Sequence, residues 1–123
     1  MLRHELVELF LVLGVTQAVE ESKVVGMFGL EPASTEAMEL RRMYVDPDAR
    51  RRGIARKMLG FAEAECRRRN LRRMELSTSE LQDDALSLYR NSGYQLVREE
   101  IAVAASNKTL GGGIRRFHFT KRL

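Results

Sequence analysis

The stretch Met43–Ala55, Met-Tyr-Val-Asp-Pro-Asp-Ala-Arg-Arg-Arg-Gly-Ile-Ala, limits what this chain can fold into more than any other. It leaves the end of an apolar strand, turns on Asp46-Pro47-Asp48 and enters an arginine cluster. A helix then starts at or just after Gly53. Proline cannot continue a strand ladder, so the strand must stop at Pro47. The junction gathers backbone N–H groups, a helix N-terminus and positive charge at one point. Those are the parts of an anion site. Glycine there also lets a backbone approach a phosphate closely, because no Cβ stands in the way.

The pattern on either side is mixed. Leu2, Leu6, Leu9, Phe10 and Leu13 have helical spacing, which predicts a short amphipathic helix over 2–13. A strand over Leu9–Val15 is the alternative, since that end is apolar on every side. Gln17–Glu20 and Val24–Leu30 then read as a hairpin around Glu21-Ser22-Lys23. A loop follows over Glu31–Ala37, and Glu39–Val45 reads as a third strand. From Gly53 to Arg69 the apolar residues Ile54, Met58, Phe61, Ala62 and Cys66 share one helical face, with arginines in the last turn and Asn70 as the stop. Arg72–Ser77 alternates as a strand. Strand, helix, strand in this order implies a right-handed parallel crossover. Gln82–Ser92 is a second helix, with Asp83 and Asp84 in its first turn and Gly93 beyond its end. Tyr94–Val103 and Ile114–Lys121 are strands joined by a glycine-rich loop, Ser106–Gly113. The fold class is α/β (α+β): a mostly antiparallel twisted sheet with one parallel β-α-β crossover and flanking helices. At 123 residues a single domain over 1–123 is expected.

Composition narrows the classes. The net charge of +4 admits nucleic acid, a membrane surface or an acidic ligand as partner. Aromatics are only 7 % and no nucleic-acid motif is present, so no nucleic-acid partner is expected. No apolar run approaches the roughly 20 residues of a membrane span. The Leu6–Val15 segment is interrupted by Glu8, and no small-residue cleavage site follows before Glu20 and Glu21. With the single cysteine, Cys66, that leads to a cytoplasmic protein and no membrane partner. His4 and His118 lack a carboxylate or cysteine at metal spacing, so no metal site is expected. Gly111-Gly112-Gly113 lacks the lysine and hydroxyl of a P-loop.

Two motifs then stand in order. Arg-x-x-Gly-x-Ala, from Arg50 to Ala55, follows a strand of the form Leu-x-x-Met-Tyr-Val-x-Pro. Ala-x-x-Leu-Tyr-x-x-x-Gly-Tyr runs from Ala85 to Tyr94. Together they resemble motifs A and B of the GCN5-related N-acetyltransferases, a likeness that covers about Gln17 to Val97. The resemblance implies acetyl-coenzyme A as co-substrate and an N-acetyltransferase acting on a primary amine of a small molecule or peptide. By the same likeness, backbone groups of Met43, Tyr44 and Val45 pair with the pantetheine arm. The amides of Arg50, Arg51, Arg52, Gly53, Ile54 and Ala55 take the pyrophosphate, with Arg50 in the family's leading Gln/Arg position. Tyr89 is the general acid; a phenol of ordinary pKa near 10 holds its proton at neutral pH and can give it to a thiolate.

An ammonium has no lone pair, so something must first remove its proton. Glu39, just before the pantetheine-binding part of its strand, is the candidate base, and Glu75 is a weaker one. Two positions depart from the family. Ser77 stands where some members carry a base. Gln82 stands where many carry an asparagine, and could still hydrogen-bond the cofactor. Only about sixteen residues precede the hairpin, fewer than the family's usual strand and helices require. Two outcomes stay open: an open acceptor cleft, or one completed by a second subunit in a homodimer. A non-catalytic acyl-coenzyme A-binding module is the alternative function.

Overall fold

A computed structural model of the protein describes residues 8–12, 15–102 and 113–123. Seven strands and two α-helices follow in the order β1 (Glu8–Val12), β2 (Val15–Glu20), β3 (Lys23–Pro32), β4 (Ala37–Val45), α1 (Ile54–Arg68), β5 (Arg73–Ser79), α2 (Asp83–Asn91), β6 (Gln95–Ala102) and β7 (Ile114–Arg122). They form one sheet in the order β1-β2-β3-β4-β5-β7-β6. Every neighbouring pair is antiparallel except β4 and β5, which are parallel and joined through α1.

The helix expected over 2–13 is corrected where it is described. Glu8–Val12 is a strand, paired with β2 from Glu8↔Val19 to Val12↔Val15. Leu9-Phe10-Leu11-Val12 is a short continuous apolar run, which periodicity alone cannot assign to helix or strand. The partner strand decides it. Residues 2–7 and 13 of that expectation, and all of the Ser106–Gly113 loop except Gly113, lie outside the described residues.

Strand alternation gives the sheet two unlike faces. Met74, Leu76 and Thr78 of β5 are buried, whereas Arg73, Glu75, Ser77 and Ser79 are half-buried. In register with Leu76 are Leu40 on β4 and Phe119 on β7, and Leu30 stands opposite Leu40. This apolar face receives both helices. Met58, Ala62 and Cys66 of α1 join its core, and the Tyr89 ring of α2 lies 6.1 Å from that of Phe119. The other face carries the row Glu31, Glu39, Glu75, Thr120 and Gln95 across five strands. Among the described residues no helix covers it.

A buried polar cluster locks α1 to the end of α2 and to β7. Glu63 is 8 % exposed. It accepts a 2.8 Å hydrogen bond from the Tyr94 hydroxyl and bonds of 3.1 and 3.2 Å from Lys121 Nζ. Burial and the bond to Glu63 raise the Tyr94 phenol well above its ordinary value, so it stays a donor. Truncating one member of such a group strands the others without partners. Glu63→Ala should therefore cost about 3 kcal/mol, with Glu63→Gln costing less because it keeps an acceptor for Tyr94. Urea unfolding of the two variants checks this; a loss below about 1 kcal/mol for the alanine variant would remove the cluster from the stability account.

Candidate active site

The site grows out of the end of β4. Asp46 donates its amide to the Val25 carbonyl at 2.8 Å, and its Oδ1 accepts from the Asp48 amide at 3.1 Å. Pro47–Ala49 makes one 3-10 turn, pinned by the buried Ala49. The chain then passes Arg50 in extended geometry, Arg51 at φ +64° and Gly53 at φ +79° before α1 begins. The Lys57 amide donates to the Gly53 carbonyl at 3.0 Å. The amides of Ile54, Ala55 and Arg56 therefore precede the helix ladder and have no acceptor within it. No side chain caps this end, and its first turn holds no acidic residue. The helix dipole here meets no protein counter-charge, which leaves a place for an anion.

The three arginines of the junction do different things. Arg50 Nε donates to the Val45 carbonyl at 3.1 Å, so its guanidinium braces the strand end. Arg52 is ion-paired with Glu20 of β2. Arg51 is exposed and makes no ion pair among the described residues. The backbone of all three lies in the anion cradle, but only Arg51 has its side chain uncommitted. Arg56 was missed by motif reasoning, although any helix start leaves its first amides free.

The second feature is a split in the sheet. β4 and β5 pair from Ala37↔Arg73 to Leu40↔Leu76 and no further. β4 continues beside β3 to Val45, while Ser77–Ser79 of β5 continue beside β7. The cause is a bulge in β4. Met27 faces Tyr44 and Gly29 faces Arg41, so Arg42 and Met43 together oppose Phe28. Arg42 takes up the extra residue at φ +54°. A bulge bends its strand and sharpens its twist. Beyond Leu40 the β5-facing edge of β4, with Met43, Tyr44 and Val45, has no strand partner.

Glu39 stands one row before the point where β4 and β5 part, and Tyr89 is placed by its ring contacts with Phe119 and Tyr94. Tyr89 packs on Phe119, the register partner of Leu76, at the last row where the strands still pair. It is 5 % exposed, and burial pushes its phenol up to about 12. Its hydroxyl makes no hydrogen bond among the described residues, whereas that of Tyr94 is taken by Glu63. Glu39 lies one row earlier on the opposite face, in register with Glu31 and Glu75. Arg41 holds Glu31 at 2.8 Å and Arg73 holds Glu75 at 3.1 Å. Of the three carboxylates only Glu39 makes no hydrogen bond or ion pair among the described residues. Ser77 lines the split on β5, where its hydroxyl accepts from Arg116 Nη2 at 3.0 Å. Gln82 precedes α2, and its side-chain oxygen accepts from the buried Thr78 hydroxyl at 2.5 Å. That bond fixes the amide group at the mouth of the split. Among the described residues no group of three His, Cys, Asp or Glu could hold a metal ion, and no helix is long and apolar enough to cross a membrane.

This region thus holds free amides at a helix start, an unpaired strand edge, a buried phenol and a carboxylate without an ion pair. The model of the acetyltransferase (GNAT) family matches residues 3–94, and the chain belongs to that family. The uncharacterized N-acetyltransferase YjgM of Escherichia coli (strain K12) is 31 % identical over 78 residues, 61 % of this chain and 47 % of that protein. The chain thus spans about half the length of this relative. An IAA acetyltransferase from Bacillus cereus superposes with a TM-score of 0.78 at 17 % identity, over 89 % of this chain and 77 % of the other. A GNAT family acetyltransferase from Elizabethkingia anophelis, solved with acetyl-CoA bound, gives 0.77 at 16 % identity, over 89 % and 75 %.

The two exposed glycines of α1 and its cap separate backbone need from packing. A Cβ at Gly53 or at Gly60 would meet nothing within 4 Å, but only Gly53 has a positive φ. Gly53→Ala should destabilise by about 1 kcal/mol, and Gly60→Ala, inside the helix, should stabilise by about 0.5–1 kcal/mol. Thermal melts of the two variants should move in opposite directions; a shared sign would contradict the left-handed cap.

Proposed function

We propose that the protein is an N-acetyltransferase that moves the acetyl group of acetyl-coenzyme A to a primary amine of a small molecule or peptide. The observation that carries this reading is the unpaired β5-facing edge of β4 beyond Leu40, with Glu39 one row before it and Tyr89 packed on Phe119, the register partner of Leu76. The anion cradle that starts α1 stands at the end of the same strand. Family membership and the acetyl-CoA bound by the Elizabethkingia protein support the choice of donor.

In this reading the pyrophosphate lies on the amides of residues 51–56, with Arg51 adding charge. The pantetheine runs along the unpaired edge at Met43–Val45 as an extra strand, which brings the thioester to the point where β4 and β5 part. Glu39, directly or through water, takes a proton from the acceptor ammonium. The freed lone pair attacks the thioester carbonyl and a C–N bond forms. Backbone N–H groups of β4 near Met43 stabilise the oxyanion. The C–S bond then breaks, Tyr89 gives its proton to the departing thiolate, and the nitrogen, still carrying one proton too many, releases it through water, which restores the phenol. Burial suits Tyr89 to this step, because the shift to about 12 keeps the phenol protonated throughout the working range.

Tyr89→Phe should lower kcat by about 10²-fold while the affinity for coenzyme A stays within about twofold of the parent. Glu39→Gln should act likewise, with the larger loss at low pH where the amine is most protonated. A non-catalytic acyl-coenzyme A-binding module would instead bind coenzyme A and transfer nothing to polyamines, amino acids, aminoglycosides or peptide N-termini.

The pH dependence follows from the same groups. A rate limited by amine deprotonation rises with pH toward the amine's ordinary pKa near 10. Tyr89, raised to about 12, imposes no falling limb over that range. A fall in kcat/KM below about pH 10 that disappears in Tyr89→Phe would show the phenol titrating as an exposed one does.

A further inference from the structure

A cavity lined by residues of β5 and β7 lies away from the split. It occupies about 520 Å³ where β5 begins and β7 ends. The split opens at the other end of β5, about 20 Å away along the strand. We propose that this cavity is a second anion site, which takes a small phosphate-bearing molecule independently of the cradle at Gly53.

Four cations line it: Arg72, Arg73, Lys121 and Arg122, against one carboxylate, Glu36. Two of the four are spent on the protein. Arg73 is bonded to Glu75 at 3.1 Å and Lys121 to Glu63 at 3.1 Å. Arg72 and Arg122 make no ion pair or side-chain hydrogen bond among the described residues. Arg122 stands directly opposite Arg73 across the β5–β7 ladder. Like charges facing each other on neighbouring strands destabilise a sheet. Glu75 offsets Arg73 in this pair, and an anion in the cavity would do the same for Arg122.

The frame is rigid. The Arg72 amide donates to the Glu36 carbonyl at 2.9 Å, and the Arg72 carbonyl accepts from the Leu123 amide at 2.8 Å. Both free arginines therefore rise from a fixed backbone. Guanidinium groups offer paired N–H donors that match phosphate oxygens bidentately. Gln95 and Thr120 add polar groups to the same wall. The volume falls within the range of about 300–1,000 Å³ typical of small-molecule sites. A solvated stretch of surface charge would have no such concavity.

The test is an NMR titration of the full chain with inorganic pyrophosphate, followed in amide shifts at constant ionic strength. Amides of Arg72, Gly93, Gln95 and Arg122 should shift together, separately from those of residues 51–56. In Arg72→Ala/Arg122→Ala the first set should respond about tenfold more weakly, while the cradle set is unchanged. The single variant Arg122→Gln, a milder change to the fold, should show an intermediate loss. Shifts confined to residues 51–56 would overturn the site, as would equal affinity in the variants. An equal response to chloride at the same ionic strength would overturn it too, by reducing the effect to screening. None of these readouts involves acetyl transfer.

Discussion

Everything at the candidate active site depends on the extra residue in β4. Without the bulge at Arg42 and Met43, β4 and β5 would pair to their ends, and no edge would be free between them. A non-glycine residue at φ +54° is costly, by about 1–2 kcal/mol for the left-handed region. The surroundings hold it there. β3 resumes its pairing on both sides, Gly26↔Val45 beyond the bulge and Leu30↔Leu40 before it. Gly26 matters in this. A Cβ there would stand 3.0 Å from the Tyr44 carbonyl oxygen and 3.1 Å from Met58 Cε, so glycine lets the bent end of β4 and helix α1 both close on β3.

The same bend sets where α1 starts. The Asp46 amide is bonded to β3, Arg50 Nε braces the Val45 carbonyl, and the buried side chains of Ala49 and Ile54 anchor the turn between them. The free amides at the helix start are thereby held at the open end of the split. The Glu63 cluster fixes the other coordinate. It ties α1 to Tyr94 and Lys121, and the Tyr94 ring lies 6.0 Å from that of Tyr89. The start of α1 and the Tyr89 ring are thus both tied to one helix.

Much of this was legible in the residues. Proline after a strand and a glycine opening a helix marked the β4–α1 junction, and strand, helix, strand in order marked the crossover, because each rests on local chemistry. The bulge was not legible. Arg41-Arg42 has no glycine or proline to mark a break, and the distortion arises from pairing with β3. The strand at Glu8–Val12 was ambiguous for a like reason, since its neighbour β2 decides it. Side-chain commitments were equally hidden. Arg50, Arg51 and Arg52 look equivalent in sequence, yet one braces a carbonyl, one pairs with Glu20 and one remains uncommitted. The family's motif marked Gln82 only as a substituted position, while its bond to Thr78 depends on where β5 ends.

In the mechanism we propose, the alternation of a strand separates the part given to Glu39 from the part given to Tyr89. Residues one apart on β4 and β5 point to opposite faces. Leu40 and Leu76 belong to the helix side, so Glu39 and Glu75 belong to the open side. In the proposed mechanism, a donor bound against the helices and an acceptor approaching from the open face would meet where the sheet is not continuous. Arg41 and Arg73 tie up the two carboxylates beside Glu39, which leaves it the one that can gain a proton without breaking a salt bridge. Tyr89, desolvated on the far side, keeps its proton through the ordinary pH range.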